Sequence, residues 1–110
     1  MIARRLCRLD ELADGEPRGF EIGQGDQRFD VFVIRQGGCV LAYENTCPHA
    51  GSPLDLMPDQ FLSADRRHLQ CHTHGALFRI ADGMCVAGPC LGRALKPIAV
   101  RIENDEVLVP

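Results

Sequence analysis

The chain has 110 residues and a formal net charge of −3, with five Phe, one Tyr and no Trp. That length suits one domain, 1–110, with a small core poor in the aromatic side chains that dominate core energetics, so a bound metal centre is one way to make up the shortfall. Arg4, Arg5 and Arg8 are followed by Asp10 and Glu11, and Arg66 and Arg67 stand beside Asp65. There is no dense basic run, which excludes the electrostatic footprint of a nucleic-acid binder.

The first twelve residues carry arginines but lack the apolar stretch of a secretory signal, and no window approaches a membrane span. A cytoplasmic protein without membrane contact is therefore expected. In that compartment the six cysteines should stay reduced, as buried thiols or metal ligands rather than a disulfide framework.

In chain order, residues 10–12 suit a single helical turn, and no segment has the periodicity of a longer helix. Residues 30–35 are rich in β-branched and aromatic side chains. Gly37-Gly38 follows, then a second apolar run over 39–43, which predicts a hairpin. A second hairpin is predicted from 77–80 and 84–87 around Asp82-Gly83, and a third from 97–102 and 106–109 around Asn104-Asp105. Each of these turns holds residues that tolerate positive φ. The pattern is all-β and antiparallel. Two Pro- and Gly-rich stretches, 45–59 and 88–96, have no strand pattern, and long loops of this kind are commonly functional.

Two clusters stand out beside those loops. Cys47-Pro48-His49 reads C-x-H; about twenty residues later Cys71-His72-Thr73-His74-Gly75 reads C-x-x-H. Each supplies one thiolate and one imidazole, both good ligands for iron or zinc. Zinc-finger pairs usually place two like ligands in each cluster, whereas here each cluster mixes the two types. One zinc ion could still take all four. A [2Fe–2S] centre with two thiolates on one iron and two imidazoles on the other also uses this set. Gly51 and Gly75 follow the clusters, where the backbone is expected to pass close to a buried centre.

Cys47-Pro48-His49-Ala50-Gly51-Ser52-Pro53-Leu54 and Cys71-His72-Thr73-His74-Gly75-Ala76-Leu77-Phe78 resemble the two cluster-binding loops of Rieske ferredoxins. The likeness extends over roughly residues 29–109. It implies an antiparallel β-sandwich with a cluster-binding subdomain made by two loops, about 45–59 and 71–78, and a covering loop over about 88–92. It implies one [2Fe–2S] cluster per chain, with Cys47 and Cys71 on the inner iron and His49 and His74 on the outer. The function implied is that of a soluble one-electron carrier, not an enzyme, monomeric when free. Such a carrier works between a reductase and a terminal oxygenase, in particular an aromatic-ring dioxygenase. Small Rieske subunits of larger oxidoreductases, such as nitrite reductases, share these motifs. A zinc-stabilised interaction domain is the reading that leaves the likeness aside.

The surplus residues divide as follows. The second-loop spacing selects His74 over His72 as ligand, and His68 reads as a solvated strand residue. Cys7, Cys39, Cys85 and Cys90 read as small buried apolar side chains. Cys90 falls in the covering loop, where a redox-sensitive thiol is the alternative. Pro53, Leu54, Leu77, Pro89 and Leu91 are candidates either for an apolar docking rim or for packing between the loops.

Respiratory relatives carry an extra disulfide between the loops; the matching positions here are Ser52 and Thr73. They also place a serine and a tyrosine after the second loop, hydrogen-bonded to sulfur, where this chain has Ala76 and Phe78. Fewer donors stabilise the reduced cluster less. The midpoint potential is expected on the order of −150 to −50 mV, near the bottom of the Rieske range. Protein-film voltammetry measures it, and a value well above about +100 mV contradicts the donor argument.

Overall fold

The computed structural model describes residues 4–23, 25–27, 29–48, 51–55 and 57–109. Among the described residues the strands are β1 (Arg4–Arg8), β2 (Pro17–Ile22), β3 (Phe29–Gln36), β4 (Cys39–Glu44), β5 (His68–Gln70), β6 (Leu77–Arg79), β7 (Cys85–Ala87), β8 (Pro97–Ile98), β9 (Arg101–Glu103) and β10 (Glu106–Val109). All pairings are antiparallel, in three sheets ordered β2-β3-β4-β8, β1-β10-β9 and β5-β6-β7. The all-β expectation holds. A 3₁₀ turn at Leu9–Glu11 stands one residue before the expected helical turn, and a second spans Gly25–Gln27. Among the described residues no helix is long and apolar enough to cross a membrane.

The four-stranded sheet is the middle layer, and β3 shows why. Val31, Phe32, Val33 and Ile34 are all fully buried. Successive strand residues point to opposite faces, so four buried neighbours require both faces to be covered. On one face Val33 and Ala42 pack with Cys7, Leu12 and Val107, and Val31 packs with Ile22 and Val109. This is the sandwich with the β1-β10-β9 sheet. On the other face Phe32 and Tyr43 join Leu54, Phe61, Leu69, Phe78 and Leu95. Phe32 stacks on Phe61 with ring centroids 4.3 Å apart, and the Tyr43 hydroxyl donates to the Ile80 carbonyl at 2.7 Å. The second core is the floor of the β5-β6-β7 subdomain.

The first hairpin forms as expected, with Gln36 opposite Cys39 across Gly37-Gly38. The third does so only in part. Asn104 and Asp105 have φ of 51° and 61°, the paired positive values of a type I′ turn. The run over 97–102, however, is two strands. Pro97 and Ile98 pair with β4, whereas Arg101 and Ile102 pair with β10. The chain changes sheets at Ala99-Val100, because each half of the sandwich needs an edge strand there and one continuous strand cannot serve both.

Two further expectations are corrected. Cys39 is exposed, because it opens β4 at the tight turn, where neither face is covered; Cys7, Cys85 and Cys90 are buried. His68 is a strand residue, but half-buried.

The subdomain is an insertion between two strands that lie side by side. Tyr43 pairs with Pro97, the Glu44 amide donates to the Lys96 carbonyl at 2.9 Å, and everything in 45–95 lies between. Removing the Phe32 ring takes a partner from the subdomain floor. Phe32→Ala should cost about 3–5 kcal/mol of unfolding free energy, read from urea denaturation followed by circular dichroism.

Candidate metal centre

Cys47 and Cys71 each open the same pattern of backbone hydrogen bonds, a knuckle. In the first, the Cys47 amide donates to the Ser52 carbonyl at 2.8 Å and the Gly51 amide returns to the Cys47 carbonyl at 2.8 Å. In the second, the Cys71 amide donates to Ala76 at 2.9 Å and the Gly75 amide returns to Cys71 at 2.8 Å. The closing glycines have φ of 72° and 77°, a region where a Cβ is strained. Among the described residues, apart from the chain neighbours, no atom lies within 4 Å of where either Cβ would stand. Each glycine therefore answers a demand of backbone conformation.

The knuckles are joined to each other and to the subdomain base. His72 donates its amide to the Leu54 carbonyl at 2.9 Å, which ties one loop to the other. Asn45, not singled out in the sequence, holds the first loop closed. Its amide side chain accepts from the Leu54 N–H at 2.8 Å and donates to Asp55 at 3.0 Å. A polar residue two positions before the first cysteine is the one signal that pointed to it.

The thiols of Cys47 and Cys71 are buried, at 1% and 0% exposure, within hydrogen-bonding reach of each other. Burial, the largest influence, pushes the Cys71 thiol up; the Thr73 and His74 amides, directed at its sulfur, work against that, and Cys47 adds to it. The amide donors already suit a negative sulfur at Cys71. None of the six cysteines is in a disulfide.

His74 lies exposed at the loop tip. His72 borders a different space, a cavity of about 310 Å³ that it shares with Glu16, Phe61, Ser63 and Arg66. Its Nε2 is buried there without a hydrogen-bond partner. His49, the other expected imidazole, lies outside the described residues. Among the described residues, no three His, Cys, Asp or Glu side chains gather as a holder for one metal ion.

The loop over 88–92 covers both knuckles. Gly88, at φ 94°, sits so close to the second that an added Cβ would stand 2.8 Å from the Ala76 Cα. Arg93 reaches the first knuckle, donating to the Pro48 carbonyl at 3.1 Å. Between them the Cys90 sulfur lies 3.6 Å from that of Cys47. Of the residues expected at a rim, Leu54 is fully buried and Leu77 half-buried, while Pro53, Pro89 and Leu91 are exposed.

Residues 3–103 match the model of the Rieske [2Fe-2S] domain. The chain belongs to that family. The family's cofactor is a [2Fe–2S] cluster, and the donors found here fit it: paired buried thiols, amides aimed at sulfur, and an imidazole at the tip. The chain is 27% identical over 106 residues to the ferredoxin component of the alkene monooxygenase system of Xanthobacter autotrophicus, covering 94% of this chain and 77% of that one. The ferredoxin of carbazole 1,9a-dioxygenase from Nocardioides aromaticivorans superimposes with a TM-score of 0.75 at 29% identity, covering 99% of this chain and 97% of that one. A chain from the complex of reduced oxygenase and oxidised ferredoxin in carbazole 1,9a-dioxygenase gives a TM-score of 0.75 at 25% identity, covering 98% and 92%.

Gly88→Ala adds strain at positive φ to a clash with backbone, and should cost about 3 kcal/mol. Asn45→Ala strands the buried Leu54 N–H, for a loss of about 1–3 kcal/mol. Urea denaturation of both variants beside the parent tests these figures.

Proposed function

We propose that this chain carries single electrons from a reductase to a terminal oxygenase, with its one [2Fe–2S] cluster held by Cys47, His49, Cys71 and His74. The carrying observation is the pair of matched knuckles, which sets two cysteines side by side in the interior while His74 of the same loop is at the surface. When bound, the cluster takes up and releases one electron without further chemistry. The chain is an electron-transfer protein and not an enzyme.

The protein's contribution is to seat, shield and present. Cys47 and Cys71 bind on the buried side, where water is excluded. The Thr73 and His74 amides, donating to the Cys71 sulfur, favour its negative form. Mixed thiolate and imidazole ligation, with His74 nearer the surface than the two cysteines, suits two irons better than one zinc ion. His74 marks the face that a partner meets, and exposed Pro53, Pro89 and Leu91 give that face an apolar rim. Apolar rims of this kind suit short-lived redox encounters, which bury little surface.

The partners follow from the relatives. A similar ferredoxin forms a complex with the oxygenase of carbazole 1,9a-dioxygenase, and another serves an alkene monooxygenase system. A terminal oxygenase is therefore the acceptor. The whole chain acts as one cluster-binding domain, monomeric between encounters. Six cysteines outside any disulfide fit the reducing cytoplasm.

The test is iron and zinc analysis with visible absorption and electron paramagnetic resonance, before and after dithionite. The expected result is two irons per chain and a reduced-state signal with the low average g-value of mixed ligation. Cys71→Ser and His74→Ala should abolish that signal, and His72→Ala should leave it intact. A colourless protein holding one zinc after anaerobic reconstitution overturns the electron-transfer reading; loss of the signal in His72→Ala alone overturns the assignment of His74.

A further inference from the structure

The geometry points to Cys90 as a hydrogen-bond donor to the Cys47 sulfur, and so as a positioning residue that sets the reduction potential. This rests on the reading of Cys47 as a cluster ligand. The two sulfurs lie 3.6 Å apart, and both residues are buried, at 1% exposure each. Between two protonated thiols either sulfur can donate. A cysteine bound to iron has no proton on sulfur, so the direction is then decided, and the donor is the Cys90 S–H.

The loop that carries Cys90 is fixed at several points. The Arg93 amide donates to the Cys90 carbonyl at 2.8 Å, and the Cys85 amide to the Arg93 carbonyl at 2.8 Å. Arg93 reaches across to the Pro48 carbonyl, one residue from Cys47. At the other end Gly88 abuts Ala76 so closely that no side chain fits between them. Cys90 is thereby pressed against the first knuckle while the loop is anchored to the second. Cys85 makes the contrast: its thiol is directed at the Ala87 carbonyl, 3.2 Å away, and not at a sulfur.

The position also answers a shortage. Ala76 and Phe78 are fully buried beside the second knuckle and bring no hydroxyl. Reduction adds negative charge that the sulfur ligands share, so a donor to sulfur stabilises the reduced form more than the oxidised one and raises the midpoint. A thiol is a weak donor, and the effect should be correspondingly modest.

The alternative is that Cys90 only fills volume. Cys90→Ala and Cys90→Val remove the donor with a smaller and a larger apolar group, and Cys90→Ser keeps one. Midpoints from protein-film voltammetry, with iron content and electron paramagnetic resonance on each variant, separate the two. The expected result is a reduction equilibrium lowered about threefold in both apolar variants, or ~28 mV for a one-electron couple at 59 mV per tenfold. Cys90→Ser should stay at or above the parent value. In the parent, the iron–sulfur stretching bands in resonance Raman spectra should shift on transfer to deuterium oxide, and by less in Cys90→Ala. Four midpoints that coincide, or a serine variant that falls with the apolar pair, overturn the proposal. So does a parent protein without any deuterium shift, a measurement that needs no variant to fold. A parent without iron, or an unchanged cluster in Cys47→Ser, overturns instead the reading of Cys47 as a ligand.

Discussion

The pairing of β4 with β8 is the constraint on which the site depends. It brings the two ends of a long insertion together, so that residues 45–95 leave and re-enter the middle sheet at one place. The ordering cost of so many irregular residues has to be met by what they bury. Phe32 and Tyr43, on the face of the sheet turned away from the sandwich, supply the floor against which Leu54, Phe61, Leu69 and Phe78 pack. The middle sheet therefore has two apolar faces, and β3 carries a continuous apolar run because it serves both.

Upon that floor the two knuckles repeat one solution. Each turns the chain back after a cysteine, closes on a glycine of positive φ and leaves the cysteine inward. Repetition of the turn leaves two cysteines at equal depth, and in the second loop the short spacing between Cys71 and His74 brings an imidazole to the surface. The covering loop then closes a third side, held by a contact with room only for glycine at 88 and by the reach of Arg93 to Pro48. An electron carrier needs this division: low dielectric and fixed donors on the buried side, and exposed edges toward a partner on the other.

Charge contributes little to the scaffold. The ion pairs Arg5–Glu106, Arg79–Asp82 and Arg101–Glu103 all join side chains that are half exposed or close to it, and such pairs are worth little in water. Arg79 does raise order locally, since with the Met84 amide it holds the Asp82 carboxyl below its ordinary range at the tip of the β6–β7 hairpin. The fold is held by its two cores and its backbone pairing.

The sequence by itself determined the class of the fold, the hairpins at Gly37-Gly38 and Asn104-Asp105, and the two loops that matter. Each of those is written in neighbouring residues: alternation, turn-forming dipeptides, and cysteine beside histidine. Tertiary structure decided the rest. The strands β1 and β2 leave no local signature, because short runs interrupted by Arg, Gly and Pro show little period, and they form only where a partner strand supplies hydrogen bonds. The change of sheet at Ala99-Val100 and the exposure of Cys39 depend on which strand lies alongside, and no local pattern encodes that. Asn45, Arg93 and the contact of Cys90 with Cys47 act across 9, 45 and 43 positions of the chain. Such contacts exist only once the loops have met, so a single sequence reveals the residues and leaves their encounter to the fold.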